Sequence, residues 1–335
     1  MKKTFALIIV SLMALIVITG FNTKQNDQTV LRFAYSSNSQ PVKDSMAEFG
    51  RLLEEKTNGE VKVEYFPDSQ LGGERELIEL TQTGAVDLTK VSGSALESFS
   101  DQYSIFGLPY LFDDEAHFYR VMDSDIVKPI YESTEELGFI GLTYYDSGQR
   151  SFYMNDGPVT KPSDLKGKKI RVMQSQTAIK MVQLLGGSPT PMGSSEVYTS
   201  LQQGILDGAE NNEFALTEAG HGEVSKYYSY DEHTRVPDIV LINKETIDSL
   251  PKEHRKAVYE AAKESTEYEK MVWKKAVEEA KAKSEQDFGI TFNEVDKKPF
   301  QEAVAPLHEE FKNKDGLKNI YEEIQKKRQG SEGNQ

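Results

Sequence analysis

Residues 61–91, VKVEYFPDSQLGGERELIELTQTGAVDLTKV, hold the repeating unit of the fold. Val61-Lys62-Val63-Glu64-Tyr65-Phe66 alternates apolar and polar side chains, the two-residue period of a half-buried strand. Gly73 to Thr83 then reads as a helix ended by Gly84, and Asp87 to Val91 as another strand. Upstream, Leu31-Arg32-Phe33-Ala34-Tyr35 reads as a first strand and Val42 to Lys56 as a helix closed by Asn58-Gly59. Strand–helix–strand alternation needs crossover connections. The fold class is therefore α/β, with a largely parallel sheet and helices on both faces.

The pattern loosens after Asp101. Leu108-Pro109-Tyr110-Leu111-Phe112 is an aromatic turn, Glu115 to Met122 a short helix and Gly138 to Tyr144 a strand. The chain then crosses to a second lobe within Gly148-Gln149-Arg150-Ser151-Phe152-Tyr153. Alternation resumes with Ile170 to Met173 (strand), Thr177 to Leu185 and Glu196 to Gln203 (helices) and Leu206 to Glu210 (strand). The last third reads as mainly helical. Pro251 opens a long amphipathic helix from Glu253 to about Ser284, followed by helices over Phe300 to Phe311 and Gly316 to Lys327. The expected division is lobe I at 31–147 plus 236–276, lobe II at 148–235 plus 277–328, and a disordered tail at 329–335.

Gly73, Glu76, Gln82, Gly84 and Asp87 recur 120 residues later as Gly193, Glu196, Gln202, Gly204 and Asp207. Five identities in this register exceed the roughly one expected at ordinary residue frequencies. Two readings stay open. Both segments are helix–Gly–strand units with common capping chemistry, or two similar lobes each place a helix N-terminus and a strand end at a shared cleft. Ligands of such sheets lie beyond the carboxyl ends of the strands, which puts Val91-Ser92 and Asn211-Asn212 at that cleft.

Composition excludes several classes. The 335 residues are 38% hydrophobic, enough for a sizeable core, and carry a formal net charge of −15. That charge argues against nucleic acid and against an electrostatic hold on anionic lipid. With no cysteine there is no disulfide, thiolate metal site or cysteine nucleophile. At the N-terminus, Lys2 and Lys3 precede the apolar run Phe5 to Ile18 and a polar stretch from Asn22, the layout of an export signal. Ile18 is large for the −3 site of a cut after Gly20. Residues 1–21 thus read as a cleaved signal peptide or an uncleaved anchor, and the protein as extracytoplasmic, secreted or held on the outer face of the cell membrane.

Chemistry-bearing residues point to recognition. His117, His221, His233, His254 and His308 show no ligand spacing, so each reads as a surface or satisfied histidine, and no metal or cofactor is expected. No phosphate loop follows the first strand and no nucleophile–base pairing stands out, so no catalysis is expected. What remains gathers at strand carboxyl ends: Arg150, Arg171, Asn211 and Asn212, the run Ser36-Ser37-Asn38-Ser39-Gln40, and Glu74 in a Gly-rich turn. Arg171 has two readings. It is a solvated strand-end charge, or a planar fork that holds a ligand carboxylate through two parallel hydrogen bonds.

Several motifs, in order, resemble a known family. They include Leu71-Gly72-Gly73-Glu74-Arg75-Glu76, Leu108-Pro109-Tyr110-Leu111-Phe112, Leu165-Lys166-Gly167-Lys168-Lys169-Ile170-Arg171 and Ser188-Pro189-Thr190-Pro191-Met192. Glu196-Val197-Tyr198-Thr199-Ser200-Leu201-Gln202-Gln203-Gly204 and Asp207-Gly208-Ala209-Glu210-Asn211 complete the set. Over residues 31 to 327 the chain resembles the DctP family, the extracytoplasmic solute-binding subunits of tripartite ATP-independent periplasmic (TRAP) transporters. The resemblance implies a two-lobed, periplasmic-binding-protein-like α/β clamp of type II-like form, with a long helix spanning both lobes. It implies that Arg171 binds a substrate carboxylate bidentately, that Arg150 is a second arginine and Asn211 the cleft asparagine. Glu74 would accept sugar hydroxyls, with Ser92, Ser39 and Gln40 as wall positions. The expected ligand is a small organic acid, a sugar acid such as a hexuronate before a C4-dicarboxylate. The expected partner is the pair of TRAP permease subunits, the expected state a monomer, and the alternative role a sensor for the same acids.

Overall fold

The structure is a computed structural model that describes residues 28–36 and 39–328. The expected N-terminal signal or anchor, Ser37, Asn38 and the tail at 329–335 lie outside the described residues.

Two sheets form the framework. The first holds β1 (Thr29–Tyr35), β2 (Val61–Phe66), β3 (Leu88–Ser92), β4 (Phe139–Tyr145) and β10 (Asp238–Asn243), in the order β2-β1-β3-β10-β4. The second holds β5 (Arg150–Met154), β6 (Lys169–Val172), β7 (Ser188–Pro191), β8 (Gly208–Asn211), β9 (Tyr227–Thr234) and β11 (Thr291–Glu294), in the order β11-β9-β5-β8-β6-β7. β1 is parallel to β2 and β3, and β6 is parallel to β7 and β8, as crossover helices require.

The sheets are less parallel than the sequence reading expects. β10 runs antiparallel to β3 and β4, and β5 runs antiparallel to β8 and β9. Each of these strands is the first after the chain has crossed between sheets. A chain leaving one sheet at its carboxyl edge enters the other at that sheet's carboxyl edge, so it must run backwards. The last third is mainly helical as expected, but it also holds β9, β10 and β11. Asp238-Ile239-Val240-Leu241-Ile242-Asn243 is buried along its whole length between two neighbours, so it lacks the alternation that marks a one-sided strand.

Helices α1 (Gln40–Lys56) and α2 (Glu74–Gln82) serve the first sheet; α3 (Gln176–Leu184) and α4 (Val197–Gln202) serve the second. The long helix α6 (Lys252–Phe288) has 37 residues, roughly 55 Å at 1.5 Å per residue. It lies along α1 and β4 of the first lobe and reaches α5 (Phe214–Thr217) of the second, where Phe214 packs on Trp273 with ring centroids 5.2 Å apart. The two crossing segments are pinned together by buried groups. Arg235 pairs with Asp146, whose carboxylate also accepts from Tyr119 Oη at 2.7 Å and from the Gly148 N–H at 2.8 Å. One apolar cluster, holding Ile78, Val91 and Phe106 together with Phe152, Met154 and Val172, continues from lobe to lobe. The lobes therefore meet as a packed clamp with its mouth at the strand carboxyl ends.

The 120-residue echo has a structural counterpart that embraces both readings. Gly84 and Gly204 both sit in the left-handed region, at φ 72° and 69°, where a side chain is strained. Asp87 and Asp207 each accept a backbone N–H from a neighbouring parallel strand, from Arg32 in the middle of β1 at 2.8 Å and from Lys169 at the start of β6 at 2.7 Å. The capping chemistry is shared, and both units also reach the cleft.

Candidate functional site

The two lobes enclose a cleft of about 300 Å³. Of the residues singled out from sequence, Ser39, Glu74 and Ser92 line it from the first lobe, and Arg150, Arg171 and Asn211 from the second. Gln40 does not. Its side chain is exposed and its amide donates to Asp44 at 2.7 Å, as the first helical turn brings those two together; only its backbone N–H reaches across, to Glu218 at 3.2 Å.

Arg171 is buried in β6 between β7 and β8, so it is not a solvated strand-end charge. Nε and Nη2 both donate to the Met192 carbonyl, at 3.1 and 2.8 Å. This side-on hold orients the guanidinium and leaves its Nη1/Nη2 end for the cleft. Burial, together with the neighbouring Arg150 charge, pushes its pKa below the usual arginine value against the pull of Glu210. It makes no ion pair among the described residues.

Arg150 is held differently. Nε donates to Glu210 Oε2 at 2.6 Å, Nη2 to the Glu210 carbonyl at 2.7 Å, and Nη1 to Asn211 Oδ1 at 2.7 Å. Because Asn211 Oδ1 is thus engaged, its Nδ2 is the end left for a ligand. Behind this pair, His233 Nδ1 lies 2.7 Å from Asp231 and Nε2 3.4 Å from Glu210, all fully buried. Burial alone would neutralise both groups, but the opposed charges win. The Glu210 carboxyl is lowered to about 2 by Arg150 and His233, and His233 is raised to about 9 by Asp231 and Glu210. His233 is therefore a buried imidazolium, and its charge is part of the framework that holds Arg150.

The opposite wall is built around Glu74. Its Oε1 accepts the Ser92 N–H at 2.7 Å, tying the start of α2 to the end of β3. Burial raises its pKa, partly offset by Lys90. Lys90 and Asp238 form a buried pair at 2.7 Å in the same wall. Sequence reasoning missed both. Lys90 is two residues before Ser92 on the same face of β3, so the period of two could have found it; Asp238 starts β10, a segment to which the sequence reading assigns no element. His221, expected to be a surface or satisfied histidine, is buried in the cleft wall. Asn212 lines the cleft too, but its amide is used at both ends, on Ser147 O and the Phe214 N–H.

Another cavity, of about 330 Å³, lies among Tyr110, Gln149, Glu232, Lys297, His308 and Arg328. Its lysine and arginine are matched, Lys297 with Glu232 and Arg328 with Asp113. In the cleft, by contrast, the Arg171 guanidinium has no carboxylate partner among the described residues.

The family model of bacterial extracellular solute-binding proteins, family 7 (DctP), matches residues 33–315. The chain belongs to the DctP family. Among its relatives is the uncharacterised protein YiiZ of Salmonella typhimurium, 56% identical over 299 residues, 89% of this chain and 91% of YiiZ. A TRAP periplasmic solute-binding protein of Anaerococcus prevotii, solved with bound α/β-D-glucuronate, is 46% identical with a TM-score of 0.86, covering 90% of this chain and 98% of its own. One from Xanthobacter autotrophicus, solved with β-D-galacturonate, is 37% identical with a TM-score of 0.84, covering 88% and 99%. The expected family and two-lobed clamp are both met. As a DctP protein the chain is a bacterial extracellular solute-binding protein, and no helix among the described residues is long and apolar enough to cross a membrane.

Proposed function

We propose that this DctP protein captures a hexuronate outside the cell membrane and delivers it to TRAP permease subunits, without chemical turnover. One observation carries the ligand class. Arg171 is the cleft cation without a carboxylate partner among the described residues, and the facing wall presents the Glu74 carboxylate. A ligand with one carboxylate and several hydroxyls satisfies both ends. A C4-dicarboxylate would set its second charge against Glu74, in a place where burial strengthens repulsion.

In this reading the Nη1/Nη2 end of Arg171 takes the carboxylate, and Asn211 Nδ2 and the second Nη1 hydrogen of Arg150 donate beside it. Glu74 accepts sugar hydroxyls, with Ser92 and Ser39 along the wall. Ligand bridging favours the closed clamp, because its contacts to both lobes exist together only there. The glucuronate and galacturonate complexes of relatives at 46% and 37% identity support the same class. The test is a thermal-shift screen of D-glucuronate, D-galacturonate, aldonates, malate, fumarate and succinate. A ligand at a hundred times its Kd stabilises by about 2.7 kcal/mol. Uronates are expected to raise Tm; a response to succinate alone overturns the proposal.

A further inference from the structure

Gly220 precedes His221 at φ 72°, and a Cβ there would meet the Tyr198 ring at 3.7 Å. This left-handed turn sends His221 inward from the start of a short 3₁₀ turn, His221–Glu223. The imidazole is 5% exposed and lines the cleft. Its Nδ1 lies 2.7 Å from Tyr153 Oη, and the two rings stand 5.7 Å apart at 33°. Nε2 has no hydrogen-bond partner among the described residues.

Tyr153 fixes which nitrogen carries the proton. The phenol is 1% exposed and His221 Nδ1 is its hydrogen-bond partner among the described residues. A buried hydroxyl proton left without an acceptor bears the full desolvation cost, so Tyr153 donates and Nδ1 accepts. The ring proton must then sit on Nε2. Burial, reinforced by the Arg171 charge, lowers the His221 pKa to about 4, so the imidazole is neutral at physiological pH. A neutral ring with a fixed tautomer is a donor only at Nε2.

We infer that His221 is a ligand-reading residue of the cleft, its Nε2–H donating to an oxygen of the bound acid on the Arg171 side, with Tyr153 as the positioning residue behind it. This deepens the hexuronate reading and rests on it. An oxygen that meets Arg171 on one side and a neutral N–H on another is recognised by direction as well as by charge, and an Nε2 acceptor would repel it.

Two measurements on the whole protein test this. In native protein with ¹⁵N-labelled histidine rings, His221 should show a protonated Nε2 and a bare Nδ1. Saturating D-glucuronate should shift the Nε2 resonance far more than Nδ1. By calorimetry, His221→Phe should weaken D-glucuronate at least tenfold, while His221→Gln, which keeps an N–H donor, should stay closer to native. A native-like affinity of His221→Phe, or a ring spectrum that ligand leaves unchanged, overturns the inference, and the spectrum decides if the Phe variant misfolds. If native protein binds succinate and not D-glucuronate, the uronate reading falls, and the ring shift with succinate decides the role of His221.

Discussion

Substituting Arg171 by lysine keeps the charge and removes the geometry. The guanidinium uses its Nε/Nη2 side to grip Met192 O at 3.1 and 2.8 Å, which aims the other end of the fork into the cleft. An ammonium has no second face. If the substituted ammonium donates one of its three N–H groups to Met192 O, the two that remain diverge tetrahedrally and cannot form the parallel pair that a carboxylate takes from a guanidinium edge. Arg171→Lys therefore costs one charge-assisted hydrogen bond, about 1.5–3 kcal/mol, which is roughly a 10- to 150-fold rise in Kd. Arg171→Ala loses both bonds, on the order of 3–6 kcal/mol. Isothermal titration with D-glucuronate measures both, with a melting curve of each apo variant to establish folding. A folded Arg171→Lys that binds within about threefold of native would refute the two-bond clamp, because a point charge would then suffice.

Three further predictions concern the walls. Glu74→Gln should weaken D-glucuronate, since an amide replaces a carboxylate acceptor, yet improve binding of succinate by removing the buried repulsion; parallel titrations check the crossing of the two trends. Lys90→Met leaves Asp238 buried and unpaired and should destabilise the fold by roughly 3–5 kcal/mol, whereas adding Asp238→Asn should recover much of it, read from urea midpoints. The pH profile follows from the pair of shifts behind Arg150. His233 is raised to about 9, so its stabilisation is complete below 6.5 and disappears as pH rises through 9; on the order of 3 kcal/mol is at stake. Glu210 is lowered to about 2, so its contribution is present above 4.5 and lost as pH falls toward 2. Melting of His233→Gln should be flatter than native between pH 6.5 and 9.

Much of this was legible because the sequence obeys one period at a time. Val61–Phe66 alternates and forms β2 as read, and Gly73–Asp87 carries its own start and stop signals, so α2 and β3 follow. Arg171 was locatable because cleft residues gather at strand carboxyl ends. The strand after residue 235 was harder. β10 is covered on both faces and presents a continuous apolar run, which periodicity does not separate from a helix. β7 is Ser188-Pro189-Thr190-Pro191 at a sheet edge, and proline there removes the usual mark of a strand. Losing β10 also lost Asp238, and with it the reason a lysine is buried in β3. Gln40 erred in the opposite direction. It adjoins a cleft serine, but the helix beginning at that residue turns its side chain outward onto Asp44.

An acidic chain that binds an anion must separate its local electrostatics from its total. The net charge of −15 is spread over a surface where interactions fade beyond about 8 Å at physiological ionic strength. Inside the cleft the balance is different. Arg150 is matched by Glu210, His233 by Asp231, and Lys90 by Asp238, so each pair contributes direction and little net charge. Outside those pairs the lining keeps Arg171 and two carboxylates, Glu74 on the facing wall and Glu218, which accepts the Gln40 N–H at 3.2 Å. A cleft with that arrangement cannot select by attraction alone, since its own sum is not positive. In the proposed reading it selects a molecule whose charge and hydroxyls are as far apart as the two walls, and the Met192 carbonyl and the Ser92 N–H are what hold Arg171 and Glu74 in place on them.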